Sequence, residues 1–389
     1  MARVKKIFFY FLLVVGVVSV TLTASVLYYR DRIISEFIRQ ANKNLNTPIK
    51  IGRMDVSWFA DFPNLSIVFE DVYVEDSHPG LYPLLTAKTV SFQLNIIDLR
   101  NGKYNVKGLK ISGSETNLKI NAEGVNNYTI VKDSPNNKEA ESISFELKNV
   151  SLKNTRVHYI DASINQEFTF LSDELAASIK TSKDIYDINA KGDLTTEKIR
   201  VRQIELFAGK KFTVDADLIY DDLQRNLSIK PSKLALKNSS FNIQGEYRWK
   251  GQTYVDLIAE AKDTDIQTLI SLLPEKTAKN LEKYQSKGDM YFKARLKGDV
   301  NKNTSPSLSV DFGFHDATLF HPDYRSLVQH ASMEGSFASS DVSDAKKAVL
   351  ILKDINGELN GKSFTASLTV QNFKDSDVQL RFKGELDAA

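Results

Sequence analysis

The chain has 389 residues, 42% of them apolar and 26% charged, with a formal net charge of +2 and no cysteine. That composition excludes wholesale disorder, and the near-neutral balance argues against nucleic acid, because phosphate binding needs a basic surplus on one face. The missing cysteines remove disulfides, thiolate nucleophiles and Cys-ligated zinc together.

The first element is an uncharged run from Ile7 to Tyr29, preceded by Arg3, Lys5 and Lys6. Its 23 residues would span about 34 Å as a helix, enough to cross a bilayer. The run exceeds the apolar core of a cleaved signal peptide, and Leu22 occupies a place where cleavage wants a small residue. Residues 1–30 therefore read as an uncleaved single-pass anchor. The basic flank predicts a cytoplasmic N-terminus and the bulk of the chain on the far side.

Residues 31–46 carry Ile33, Ile34, Phe37, Ile38, Ala41 and Leu45 at helical spacing, which predicts a juxtamembrane helix ending before Pro48. The period then changes to two. In "FPNLSIVFEDVYVED", Leu65, Ile67 and Phe69 alternate with polar neighbours, followed by Val72 and Val74. Later runs repeat the pattern: Val90, Phe92, Leu94 and Ile96; Phe212, Val214, Ala216 and Leu218; Leu308, Val310, Phe312 and Phe314; Phe364, Ala366, Leu368 and Val370; Val378, Leu380 and Phe382. Each has one apolar face and one polar face, the signature of antiparallel sheet wet on one side. Turn-rich stretches such as "LRNGK" at 99–103 and "NGK" at 360–362 separate them.

Two stretches interrupt the strands. Residues 132–142, "KDSPNNKEAES", predict a flexible loop between an N-terminal β region at 47–131 and a continuing one at 143–389. Residues 263–286 predict a helical insertion: Ile266, Leu269, Ile270 and Leu273 share a face, Asp263 or Asp265 can cap it, and Pro274 breaks it. Such a helix most simply caps an open end of sheet. The spacing of strands is irregular, so a meander of hairpins describes the chain better than a fixed-period solenoid.

No pattern of residues carries chemistry. The five histidines match no metal-ligand spacing. Adjacent carboxylates such as Glu70–Asp71 point to opposite faces of a strand, so they form no acid–base pair. GxSxG, Walker A and HExxH motifs are all missing. The expectation is a protein that is not an enzyme, with no catalytic residues, no cofactor and no metal. An apolar face of this length needs a cover, either a second sheet or a ligand, and an acyl chain fits a trough without polar address points.

The region from "IKIGRMDVSWFADFPNLSIVFEDVYVED" through Ala87 to Lys103 and Ile111 to Tyr128 resembles the AsmA-like envelope proteins. "FELKNVSLKNTRVHYID" and "DTDIQTLISLLPE" are similar to that family's later repeats. The resemblance implies a relative of bridge-like lipid transfer proteins: an anchor followed by an elongated, curved antiparallel β-groove with a short helical cap. It further implies inner-membrane anchorage, a periplasmic body, and a part in phospholipid transport or outer-membrane assembly. Membrane lipids are the expected partners, with other envelope proteins beside them.

The residues expected to line the groove are Phe92, Leu94, Leu118, Ile120, Phe145, Leu147, Phe212 and Val214. The rival reading is a structural envelope scaffold whose sheets close into sandwiches, with the same aromatics as core and no lipid cargo.

Overall fold

The computed structural model describes residues 45–57, 64–78, 80, 82–95, 106–130, 146–201, 204–205, 207–273, 275–301, 303–322 and 326–385, with Tyr28, Ser35, Arg39 and Asn42. Those last four are all helical. The predicted span at 7–29 otherwise lies outside the described residues, as does the loop at 132–142. Among the described residues no helix is long and apolar enough to cross a membrane.

The chain is mainly β, antiparallel, with few helices, and it divides into two units. The first holds residues 1–116 and 126–139. Its strands are β1 (Ile49–Ser57), β2 (Asn64–Glu75), β3 (Pro83–Asn95) and most of β4 (Val106–Ile120), whose last residues fall in the second unit. They pair in chain order. Two apolar rows cross this sheet, Val56–Ile67–Phe92–Leu109 and Met54–Phe69–Val90–Ile111. Phe69 meets Phe92 edge-on at 5.9 Å, and Met54 and Phe69 are buried.

The second unit, residues 117–125 and 140–389, is a long meander. It comprises β5 (Glu146–Asp161), β6 (Gln166–Ser182), β7 (Ile185–Val201), β8 (Ile204–Glu205), β9 (Lys210–Asp221), β10 (Asn226–Leu236), β11 (Ser239–Arg248) and β12 (Thr253–Asp265), then β13 (Asp289–Val300), β14 (Ser307–His321), β15 (Ser326–Ser339), β16 (Ala348–Leu359), β17 (Lys362–Gln371) and β18 (Asp377–Gly384). Every strand pairs antiparallel with the next, except that β8 folds back on β7 while β9 takes its place in the sheet. Tight hairpins drive this order. Asn360 and Gly361 take φ of 52° and 75° between β16 and β17, the left-handed pair that a two-residue turn requires.

Between β12 and β13 lie two short helices, α1 (Ile266–Ile270) and α2 (Glu275–Glu282). The helical segment is shorter at its start than 263–286, because residues 263–265 still belong to β12. Asp265 is the cap: its Oδ2 accepts hydrogen bonds from Thr268 N at 2.8 Å and from Thr268 Oγ1 at 3.0 Å.

A recurrent irregularity governs the faces. Asp71, Asn154, Asp263, Asp316, His330 and Asp354 sit inside strands with φ near 50°, a left-handed conformation that Asp, Asn and His tolerate better than most residues. At Asp71, Asp316, His330 and Asp354 the apolar face steps by three residues instead of two. Phe69 is followed by Val72, Phe314 by Ala317, Val328 by Ala331, and Leu352 by Ile355. Around Asp263, Asp316, His330 and Asp354 the pairing shifts as at a bulge, while at Asp71 and Asn154 the register runs through unbroken. Phe314, Ala317, Leu319, Val328 and Ala331 accordingly pack in one cluster with Ile266 and Ile270 of α1.

Candidate functional site: an apolar face crossing the second unit

Because strand partners in register place their side chains on the same face, the pairings define rows across the sheet. One row runs Leu152–Leu175–Gly192–Val214–Leu234–Phe241 over β5, β6, β7, β9, β10 and β11. Phe241 packs in one cluster with Ala261 of β12. From there the row continues Ala261–Phe292–Phe312–Gly335–Leu352–Leu368–Leu380 to β18. No polar side chain interrupts it. A parallel row runs Ala259–Ala294–Val310–Phe337–Leu350–Val370–Val378.

Most of this face is only half covered. Leu152, Leu175, Val214, Leu234, Phe292, Phe312, Leu352 and Leu368 are half-buried, and Leu380 is 64% exposed. A leucine fully buried gains about 2 kcal/mol over one in water, so a line of half-covered ones retains several kcal/mol of unrealised burial. The face is chemically able to bind apolar matter.

The other face is charged and self-matched. Lys191–Asp215–Lys233–Asn242–Glu260–Lys293–Asp311 form the adjoining row, alternating in sign except at Asn242. Lys191 lies 3.0 Å from Asp215, and Lys293 lies 3.9 Å from Glu260. Arg295 grips Asp256 with two hydrogen bonds, of 2.8 and 2.7 Å, and this contact holds the Asp256 carboxyl below the usual aspartate range. Exposed pairs of this kind contribute little to stability each; together they keep one side of the sheet in water and fix its register.

The expected groove residues fall into different settings. Val214 and Leu147 lie on the apolar face of the second unit, Leu147 in the register Leu147–Ile179–Ile188–Leu218. Phe212 shares that face but is buried, in a cluster with Leu236, Phe241 and Ala261 against which Leu269 of α1 and Leu272 just after it pack. There the α1 segment already supplies the cover. Leu118 and Ile120 are half-buried at the end of β4. Phe92 belongs to the first unit, where Gln93 on the opposite face is buried, together with Ser66 and Ser91. Phe92 itself is half-buried, edge-on against the buried Phe69. Leu94 is in β3, paired with Leu65 and Val106, but its side chain lies outside the described residues. Phe145 lies outside them altogether.

Sequence reasoning missed Leu175, Leu234, Phe292 and Leu352 as members of the row. Their strands carry bulges, small residues or charged neighbours that dilute a period-two signal, and only register reveals the alignment. Of the histidines, His158 Nδ1 lies 3.0 Å from Thr169 Oγ1 and His330 Nδ1 lies 2.7 Å from Asp316 Oδ1. Among the described residues no three His, Asp or Glu side chains gather as a metal-binding group. Compared with known protein families, curated proteins and solved structures, the chain matches none.

Proposed function

We propose that this chain is a membrane-anchored periplasmic protein that binds lipid acyl chains along the apolar face of its second unit and assists phospholipid transport or outer-membrane assembly. The observation that supports the reading is the unbroken apolar row from Leu152 to Leu380, half-buried over most of its course, with its stretch from Val214 to Phe292 packed in the cluster that the α1 segment joins. Tails would lie on that face and slide from strand to strand, since no polar group fixes them at one point, while head groups stay in water. The resemblance to AsmA-like envelope proteins supports the same cargo and compartment. The proposed mechanism is passive, with no covalent step.

The test is photo-crosslinking in intact cells. A photoreactive amino acid replaces Leu175, Leu352 or Leu368 in turn, with Lys191 and Lys293 as opposite-face controls, and adducts are read by mass spectrometry. Lipid adducts confined to the first set support the reading and identify the cargo. Lipid-free protein at all positions sinks it.

A second reading rests on the α1 segment, which covers Phe212 and Phe241 with Leu269 and Leu272 as an ordinary core would. On that reading the chain is an envelope scaffold whose remaining apolar face is covered by protein, and the same crosslinks would reach polypeptide instead of lipid.

A further inference from the structure

A hollow of about 560 Å³ lies in the charged face of the second unit, lined by Tyr291 together with Glu260, Lys262, Asp263, Lys293 and Asp311. Two local irregularities build it. Between Ala261 and Thr264, β12 sets two residues opposite the single Tyr291 of β13, a bulge in which Asp263 takes φ of 50°. The extra residue brings both Lys262 and Asp263 to the hollow. On the other side, Tyr291 pairs with Gly313 of β14. A Cβ at Gly313 would meet Tyr291 Oη at 2.6 Å and Cζ at 2.8 Å, so the phenol occupies the place that a side chain there would take. The ring therefore lies down across β14 with one face on the glycine backbone and the other turned to the hollow. The exposed His315 ring stands beside it, centroids 6.2 Å apart and planes at 30°.

The polar groups around this floor are unspent. Elsewhere on the same face charges are used on each other: Lys191 on Asp215, Arg295 on Asp256, Lys211 on Asp173 and Asp193. At the hollow only Lys293 and Glu260 meet, at 3.9 Å. Asp311 neighbours Lys293 in register yet forms no ion pair with it. Among the described residues the side chains of Lys262, Asp263 and Asp311 and the Tyr291 hydroxyl make no hydrogen bond or ion pair.

We infer that this hollow is a saccharide-binding site. The C–H bonds on one side of a pyranose carry slight positive charge and settle on the negative face of an aromatic ring. Sugar hydroxyls both donate and accept, so they need side chains of both kinds within reach; Lys262 donates, Asp263 and Asp311 accept, and the Tyr291 hydroxyl does either. The same set disfavours other small ligands. Two carboxylates repel an anion, and Lys262 repels a cation. The volume suits one or two sugar rings, within the usual range of ligand sites. The hollow lies on the face opposite the apolar row, so the inference does not rest on the lipid reading.

The test is saturation-transfer NMR and calorimetric titration of the full-length chain, purified in a detergent without a sugar head group. Maltotriose and the trimer of N-acetylglucosamine are the probes, and at least one should bind with millimolar or tighter affinity. Tyr291→Ala removes the floor and should weaken binding about tenfold, whereas Tyr291→Phe keeps the ring face and should stay within about threefold of the parent. Lys262→Ala and Asp311→Ala alter exposed side chains, spare the fold, and should each weaken binding about three- to tenfold; they decide the matter if Tyr291→Ala unfolds. Lys233→Ala, on the same face but outside the hollow, should change nothing. A chain that binds neither probe at millimolar concentration overturns the proposal. So does binding that survives Tyr291→Ala, or that falls as far with Lys233→Ala as with Lys262→Ala.

Discussion

Asn127 Nδ2 donates a hydrogen bond of 3.0 Å to Asp76 Oδ2 across 51 positions of chain, with both side chains buried. The other carboxylate oxygen accepts from His78 N at 3.1 Å, and Ser77 N donates to the Asn127 carbonyl at 2.9 Å. A buried carboxylate is tolerated only when its oxygens are satisfied, so this pair ties the end of β2 to the turn after β4 in the first unit. Asn127→Ala should cost about 2–3 kcal/mol, the penalty of leaving a buried charged acceptor short of a donor, seen as a lower urea midpoint.

Gly245 lies in β11 beside Leu257, and a Cβ built there would sit 2.1 Å from the Asp256 carbonyl and 2.8 Å from the Leu257 Cα. Both obstacles are backbone, which cannot rotate away. Gly245→Ala should therefore destabilise the second unit by about 3 kcal/mol, at the upper end of overpacking costs. A loss below about 1 kcal/mol in thermal or urea unfolding would show that β11 and β12 part more easily than their registry suggests.

The Asp256–Arg295 contact makes stability pH-dependent in a defined direction. Hydrogen bonding to Arg295 lowers the Asp256 pKa in the folded state, so the unfolded chain binds the proton more readily. The contribution is complete above the unfolded value of about 3.9 and disappears as the pH falls through the lower folded one. Asp256→Asn should cost about 1 kcal/mol at pH 7, and the variant and parent curves should converge in strong acid. Urea midpoints at several pH values check it.

Leu368 is half-buried in the middle of β17 on the apolar row. Leu368→Asp places a charge on the face proposed to hold acyl chains, with solvent still within reach of its carboxylate. Co-purified lipid, measured by mass spectrometry, should fall several-fold. Lys293→Asp on the charged face should leave it unchanged. Equal lipid content in both variants would count against occupancy of this face.

Some of the molecule was legible without coordinates. Period-two alternation in "SLSVDFGF" and "SFTASLTV" is enough to predict strands with one apolar side, and Asn360–Gly361 announces its hairpin, because those two residues can adopt the turn the strand twist demands. Asp265 before "IQTLI" is readable as a cap for the same local reason. The left-handed steps within strands were harder. "VFEDVYV", "SLKNTRV", "GFHDATLF" and "LILKDING" share a polar or charged residue ahead of an Asp or Asn that takes left-handed φ in the strand. In a linear reading they look like a lapse of phase, such as the step between Leu147 and Val150.

What the sequence determined by itself is therefore local: strand, turn, cap, and the existence of an apolar side, all of which depend on neighbours within a few residues. Register is different. Whether Leu175, Val214, Phe292 and Leu352 form one line depends on hydrogen bonds between strands and on where each bulge adds a residue, and a slip of one position would turn a whole strand to the other face. The same holds for cover. Phe212 looks like Leu368 in the sequence, yet it is buried in a cluster against which the α1 segment packs, while Leu368 stays half-buried. Only tertiary packing decides which apolar side chains are core and which remain half in water, because burial is a property of what arrives from elsewhere in the chain.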